Sequence, residues 1–422
     1  IRGVYGTDFF PQDVIRFCDG FSKLIKNGKC VIGRDTRTTG EMIEKLVSAT
    51  LLEKGIDVQI LGVTPTPVVF RKARELGAGI VITSSHNPLE WNGLKFIIEG
   101  RGITEKELEV VKNERNSNRP KLGKESVGIT NYVSDAAEVI GKLEQEKYVT
   151  VDIGGGSAKY VAPELLKEIG CQVTTINDEL GTCTRGPDPT TDELTELINK
   201  TKQVGFAFDL DSDRMILVIN GKKKSSDITL GLGVVKAIKL GIKKFVLSLD
   251  SSIAVEKYIT NHGGKVWRSK VGEANVIQKM IENDAEAGGE GSSGGFILKK
   301  FNMCRDGLLT SGLIASMIGD ETIQNDIEFF ESFSQIRDKI SVESNLHDRL
   351  ISEIAERLGT KYEINQLDGI KIEINENTWS LIRKSNTEDI IRISTESNDK
   401  QLLEKVQKEM IEIVNDCHEQ IK

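Results

Sequence analysis

One arrangement of apolar and polar positions recurs three times along the chain. The apolar run Cys30-Val31-Ile32-Gly33 meets the polar turn Arg34-Asp35-Thr36-Arg37. An amphipathic stretch over 41–53 follows, then Gly55, then the apolar run 58–61. The second passage has an apolar run at 148–152, a turn at 153–157, an amphipathic stretch at 161–168, Gly170 and a further run at 171–176. The third has a run at 245–249, the turn Asp250-Ser251-Ser252, a stretch at 254–260, Gly263-Gly264 and Lys265-Val266-Trp267. Short apolar runs predict buried strands, helical spacing predicts helices, and the glycines predict helix ends. Strands alternating with helices predict βαβ units and a mostly parallel sheet. Copies about 100 residues apart predict related α/β domains. From about Phe333 the pattern changes: a helix is predicted over 347–358, alternating strands over 369–374, 379–382 and 390–393, and a closing helix over 402–414. The polar stretch 112–124 reads as a linker.

Composition narrows the class. The chain has 422 residues, 38% hydrophobic and 28% charged, which excludes disordered and fibrous proteins. A net charge of -8 argues against a nucleic-acid or anionic-membrane partner. No apolar run approaches the roughly 18 residues of a membrane span, and no secretory leader is expected. Because the chain opens on Ile1 rather than Met, a few residues are expected to precede it. Six scattered cysteines with no C-x-x-C pair argue against a disulfide framework or zinc site and fit a cytoplasmic protein.

Five segments could carry chemistry. In Thr83-Ser84-Ser85-His86-Asn87-Pro88 an apolar strand over 78–82 stops in hydroxyls, an imidazole and an amide, with Asn92-Gly93-Leu94-Lys95 beyond. Ligands of parallel α/β sheets sit on such loops. A serine there needs an activating neighbour or prior modification to act as nucleophile; the plainer reading is a polar turn. Asp209-Leu210-Asp211-Ser212-Asp213-Arg214 puts three carboxylates between apolar strands, a repulsion that a hard cation would relieve. It is no EF-hand, because Arg214 and Asn220 stand where Gly and Glu are required. Gly288-Gly289-Glu290-Gly291-Ser292-Ser293-Gly294-Gly295 brings backbone N–H groups and one acid close to a ligand. Its G-x-S-x-G match to a hydrolase elbow lacks an acid–histidine set downstream. Asp152-Ile153-Gly154-Gly155-Gly156-Ser157 is similar to the phosphate loop of actin-like sugar kinases, and no P-loop occurs. Finally, Arg383-Lys384-Ser385-Asn386-Thr387-Glu388-Asp389 with Arg392 offers guanidiniums, hydroxyls and an amide, either a phosphate cradle or a charged hairpin turn.

In this order, with Arg2-Gly3-Val4 and Gly33-Arg34-Asp35-Thr36-Arg37 ahead of them, the segments resemble the α-D-phosphohexomutase family. That family includes phosphomannomutase, phosphoglucomutase and phosphoglucosamine mutase. The resemblance covers nearly the whole chain, and the details are most similar to archaeal members. It implies three related mixed-sheet α/β domains (1–122, 123–223 and 224–330) plus a smaller C-terminal α+β domain (331–422) around a central cleft. It also implies interconversion of hexose or hexosamine 6-phosphate and 1-phosphate through a phosphoserine at Ser85. A sugar 1,6-bisphosphate would be intermediate and activator.

By position, the resemblance makes Ser85, Asp209, Asp211 and Asp213 the ligands of one Mg²⁺ per chain. His86, Lys95 and Arg2 join Ser85 in catalysis, with the general base left open. Arg214, Glu290, Ser292 or Ser293, Arg383, Ser385, Asn386, Thr387 and Arg392 become substrate contacts. Expected partners are small-molecule sugar phosphates, with the protein a monomer or homodimer. The chain departs from the family where the acid loop lacks glycines between its aspartates, where the glycine loop carries two serines, where Asp389 replaces a proline, and at Val271-Gly272-Glu273, where other members carry a related acid or a histidine. Competing readings are an actin-like-fold sugar kinase and a sugar-phosphate-binding protein without chemistry.

Overall fold

The computed structural model describes residues 1–113, 115, 121–385 and 388–421. Four sheets succeed one another along it. The first holds β1 (Arg2–Val4), β2 (Lys29–Arg34), β3 (Asp57–Val63), β4 (Ala78–Ile82), β5 (Trp91–Ile98), β6 (Arg101–Gly102) and β7 (Glu125–Val127). The second holds β8 (Lys147–Asp152), β9 (Cys171–Ile176), β10 (Val204–Phe208), β11 (Met215–Ile219) and β12 (Lys222–Lys223). The third holds β13 (Lys244–Ser248), β14 (Lys265–Ser269), β15 (Ala287–Glu290) and β16 (Gly295–Leu298). The last is antiparallel throughout: β17 (Ser334–Ser341), β18 (Ile364–Asn365), β19 (Ile370–Asn375), β20 (Thr378–Lys384) and β21 (Ile390–Ser397). Helices His347–Gly359 and Lys400–Ile421 pack with it.

The first three sheets share one topology. In each, a central strand pairs in parallel with the next two strands, and a fourth runs antiparallel to the third. The orders are β3-β2-β4-β5, β9-β8-β10-β11 and β14-β13-β15-β16. The expected strand–turn–helix–strand repeat is thus the first half of a larger unit that ends in a hairpin. β4, β10 and β11 are buried along their whole length, which explains their unbroken apolar sequences. Gly170 closes the helix Val161–Ile169 at φ 110, a left-handed conformation that a Cβ would oppose.

The first and fourth units each have an apolar cluster of their own, whereas the second and third share one. The cause is the helix Gly307–Ala315, buried at all nine positions and packed against elements of both units.

One expected boundary needs correction. Residues 123–127, assigned to the second domain, belong to the first sheet. β7 pairs in parallel with β3, Gly123 N–H donates to Leu52 O (2.9 Å), and Val58 N–H donates to Lys124 O (2.8 Å). The exposed Glu-Ser-Val sequence has no apolar alternation to mark it as a strand. The expected linker also begins inside the helix Glu105–Asn113. Among the described residues, no helix is long and apolar enough to cross a membrane.

Candidate active site

Three of the candidate loops occupy the same place in the repeated unit, the turn between its third and fourth strands: 83–90 after β4, 209–214 after β10 and 291–294 after β15. The structure brings their side chains together.

Ser85 is fully buried, with φ at 54. A non-glycine residue in this left-handed region is uncommon and tends to mark functional turns. Its hydroxyl donates to Asp209 Oδ2 at 2.7 Å, and His86 Nδ1 lies 3.4 Å from the Ser85 Oγ. The turn is held from behind by Arg37, which donates to the carbonyls of Ser85 (2.7 Å), Asn87 (2.7 Å), Trp91 (2.9 Å) and Pro88. Asp35 orients that guanidinium through Nε (3.0 Å) and accepts the Thr83 hydroxyl (2.6 Å). Thr83 Oγ1 in turn accepts the Ser85 N–H (2.8 Å). Burial first, then the charges of Arg214 and Arg2, holds His86 down to about 3, so the ring is neutral.

The acid loop lies against this turn. Ligand atoms of Asp209, Asp211 and Asp213 lie within 4.8 Å of one another. Lys95 Nζ donates to Asp211 Oδ2 (2.6 Å) and Asp213 Oδ2 (2.7 Å), and Thr66 Oγ1 donates to Asp211 Oδ2 (2.6 Å). Burial and the two neighbouring carboxylates push Asp209 well above the usual range. Burial alone would lower Lys95, but Asp211 and Asp213 outweigh it and hold the ammonium above its usual value. The same two acids reach Arg2 electrostatically from β1, which pairs with β5 so that Arg2 faces Gly93. Arg214 lies at the edge of the acid loop: its Nη1 pairs with Asp188 (3.6 Å) and its Nε lies 4.0 Å from Asp209 and Asp213. Asp211 Oδ1 and Asp213 Oδ1 are buried with no hydrogen-bond partner. Unpaired buried carboxylate oxygens are costly. Three carboxylates beside a serine oxygen form the hard donor set a divalent cation takes, so these residues could hold a metal ion.

The glycine loop adds Glu290, whose Oε1 accepts the Gly272 N–H (2.7 Å) and whose Oε2 accepts Arg305 (3.0 Å). Ser293 is buried and its hydroxyl also accepts from Arg305 (3.2 Å), whereas Ser292 is half-buried. In the fourth unit, Arg383 and Arg392 face one another across β20 and β21. Arg392 pairs with Glu388, and the Ser385 N–H donates to Ile390 O (3.0 Å). Asn386 and Thr387 lie outside the described residues. Among the described residues no hydrogen bond joins Arg383 or Arg392 to the acid loop. The fourth unit instead hydrogen-bonds the third: Asp368 accepts the Val271 N–H (2.9 Å) next to the Gly272–Glu290 bond, Glu396 accepts the Ile253 N–H (2.8 Å) and Arg337 donates to Asp227 (2.7 Å).

Sequence reasoning gave no site role to Arg37, Asp35, Thr66 or Arg305, and noted Glu273 only as a departure without a role. The first two sit in a motif read as a turn and as part of the family resemblance. Arg305 had a faint signal, an Arg-Asp pair inside an otherwise apolar stretch.

The kinase-like segment is accounted for differently. Its N–H groups are all engaged: Gly154 with Asp152 Oδ1, Gly155 with Asn177 O, Gly156 with Ile153 O and Ser157 with Leu210 O. None is left for a phosphate, and the segment instead buttresses the acid loop. A Cβ at Gly156 would stand 2.9 Å from Leu210 Cα. Gly156→Ala should therefore displace the aspartates and weaken binding of a divalent cation at the acid trio by ~10-fold or more. Calorimetric titration against the parent checks this, and equal affinity would refute the buttress.

Comparison with known proteins agrees along the whole chain. Residues 1–121, 130–222 and 227–333 match the phosphoglucomutase/phosphomannomutase alpha/beta/alpha domains I, II and III, and residues 342–413 match the C-terminal domain of the same family. A "Probable phosphoglucosamine mutase" of Methanosphaera stadtmanae is 33% identical over 98% of this chain and 97% of its own. A "Phosphoglucosamine mutase" of Methanococcus maripaludis is 32% identical over 95% of each. A crystal structure of a phosphoglucomutase/phosphomannomutase family protein from Burkholderia thailandensis shares the fold. Its TM-score is 0.84 at 22% identity, covering 99% of this chain and 96% of that one. The chain belongs to the α-D-phosphohexomutase family. It is a phosphomutase, an isomerase acting on sugar phosphates.

Proposed function

We propose that this chain interconverts the 6- and 1-phosphates of a hexosamine, glucosamine first, through phosphoserine at Ser85 and a sugar 1,6-bisphosphate that also primes the enzyme. The observation that carries this reading is the Ser85 oxygen at 2.7 Å from Asp209, beside two orphaned carboxylate oxygens. The names of the archaeal relatives favour glucosamine over glucose or mannose. One Mg²⁺ held by Ser85, Asp209, Asp211 and Asp213 would neutralise charge on the migrating phosphoryl group. In the first transfer the bond from phosphorus to the Ser85 oxygen breaks and one to the free sugar oxygen forms, the sugar hydroxyl giving up a proton and the serine oxygen regaining one. In the second transfer the bond from phosphorus to the other sugar oxygen breaks, that oxygen takes a proton, and the deprotonated Ser85 oxygen regains the phosphoryl group.

The chain's own groups fill the other roles. Lys95 and Arg2 supply positive charge where phosphoryl oxygens gather, His86 stands beside the serine oxygen, and Arg214 borders the acid loop. Glu290 and the half-buried Ser292 hold sugar hydroxyls, Ser293 being engaged by Arg305. Arg383, Ser385, Asn386, Thr387 and Arg392 grip the non-reacting phosphate. Six free cysteines suit a cytoplasmic enzyme.

Parallel assays on glucosamine, glucose and mannose 6-phosphates test the substrate, and the highest kcat/KM is expected for glucosamine. Preference for either other sugar would overturn that choice. The intact mass after treatment with the bisphosphate should rise by one phosphate on Ser85. Absence of that adduct would overturn the mechanism.

A further inference from the structure

We propose that Arg305, fixed by Glu273, is a positioning residue that sets the spacing between the acid loop and the glycine loop, so that a sugar hydroxyl held at Glu290 meets the phosphoryl group on Ser85. The inference rests on the mutase reading above.

Arg305 is buried and uses every nitrogen of its guanidinium. Nη2 donates to Asp213 Oδ2 (2.9 Å), Nη1 to Glu290 Oε2 (3.0 Å) and Ser293 Oγ (3.2 Å), and Nε to Glu273 Oε2 (3.1 Å). The same Glu273 oxygen accepts the Arg305 backbone N–H at 2.9 Å. The residue is thus gripped at both ends of its side chain. Among the described residues, it is the one side chain that hydrogen-bonds both loops.

The surroundings are built for it. A Cβ at Gly295 would collide with Arg305 Cδ, so the glycine at the start of β16 leaves the channel through which the side chain passes. The next residue, Asp306, anchors the backbone. Its side chain accepts the Leu309 N–H (2.9 Å), caps the helix Gly307–Ala315, and accepts Tyr132 Oη (2.5 Å) and Asn302 Nδ2 (2.8 Å).

The two loops belong to different sheets, so their relative position is not set by strand pairing. A planar fork that bonds an acid on each loop fixes it, whereas an ammonium acts as a point charge and cannot span both. The bridge also gives a role to Glu273, whose carboxylate holds both the backbone N–H and the Nε of Arg305.

The test compares two fates of the phosphoenzyme: transfer of the phosphoryl group to the sugar and loss to water as inorganic phosphate. Their ratio does not depend on how much of a preparation is active. Misplacing a reacting group by about 1 Å costs ~10²-fold in rate. Arg305→Lys in the full chain should therefore lower the ratio of sugar transfer to hydrolysis by ~10²-fold. Glu273→Gln keeps an acceptor of the same shape and should lower the ratio by a smaller factor, deciding the matter should the lysine variant fail to fold. A parental ratio in the folded variants would overturn the inference and leave the mutase reading standing. A parent that never carries phosphate on Ser85 would overturn both.

Discussion

Ser85→Ala is expected to reduce turnover to background while leaving the fold in place. The hydroxyl donates one short hydrogen bond, to Asp209, and meets His86 Nδ1 only at 3.4 Å, so its loss should cost only about 1 kcal/mol of stability. The same oxygen is the one that carries the phosphoryl group under the proposed mechanism, and removing a nucleophile costs ~10⁴-fold or more in kcat. Ser85→Gly is the companion variant. At φ 54 glycine relieves the left-handed conformation, so a folding defect cannot explain an inactive protein. Activity within 100-fold of the parent in either variant, measured by coupled assay with the folded fraction checked by circular dichroism, would refute phosphoserine at this position.

Arg37→Met should be among the most destabilising substitutions outside the apolar cores. Its side chain and that of Asp35 are completely buried as an ion pair. The guanidinium also satisfies four carbonyls of the serine turn. Burial pushes the Asp35 carboxyl up, and the Arg37 charge and Thr83 hydroxyl pull it part of the way back. Removing the arginine strands both the acid and the carbonyls, a loss of about 3–5 kcal/mol. Asp35→Asn combined with Arg37→Met should recover part of it, because the pair is coupled and no unpaired acid remains. Urea unfolding of parent, single and double variants measures both effects. A single variant within about 1 kcal/mol of the parent would show that the turn stands without its anchor. The activity of the single variant should fall with its stability, because Ser85 loses its nearest backbone tether.

Much of this architecture was legible because apolar runs and glycines carried it. β9 begins directly after Gly170 and spans the predicted residues 171–176. The helix Val161–Ile169 falls within one residue of its expected end, for the same reason. What stayed hidden depends on partners distant in sequence. β7 has three exposed residues and becomes a strand only because β3 offers an unpaired edge. Arg37 and Arg305 are charges of the kind that normally mark solvent, and nothing local indicates that each will be enclosed by acceptors from other segments. The acid trio and the serine turn were recognisable from composition and order. That they meet required the hairpins that end each repeat, which the pattern of the first half of the unit does not contain.

Those hairpins share one architecture. A serine turn, a cluster of acids and a glycine-rich loop occupy equivalent tips of one unit present in three copies, the arrangement that duplication of a single module leaves behind. A tip can change while the paired stem beneath it stays in place. Under the proposed function, sugar preference can therefore drift at 291–294 without rebuilding the scaffold that presents Ser85.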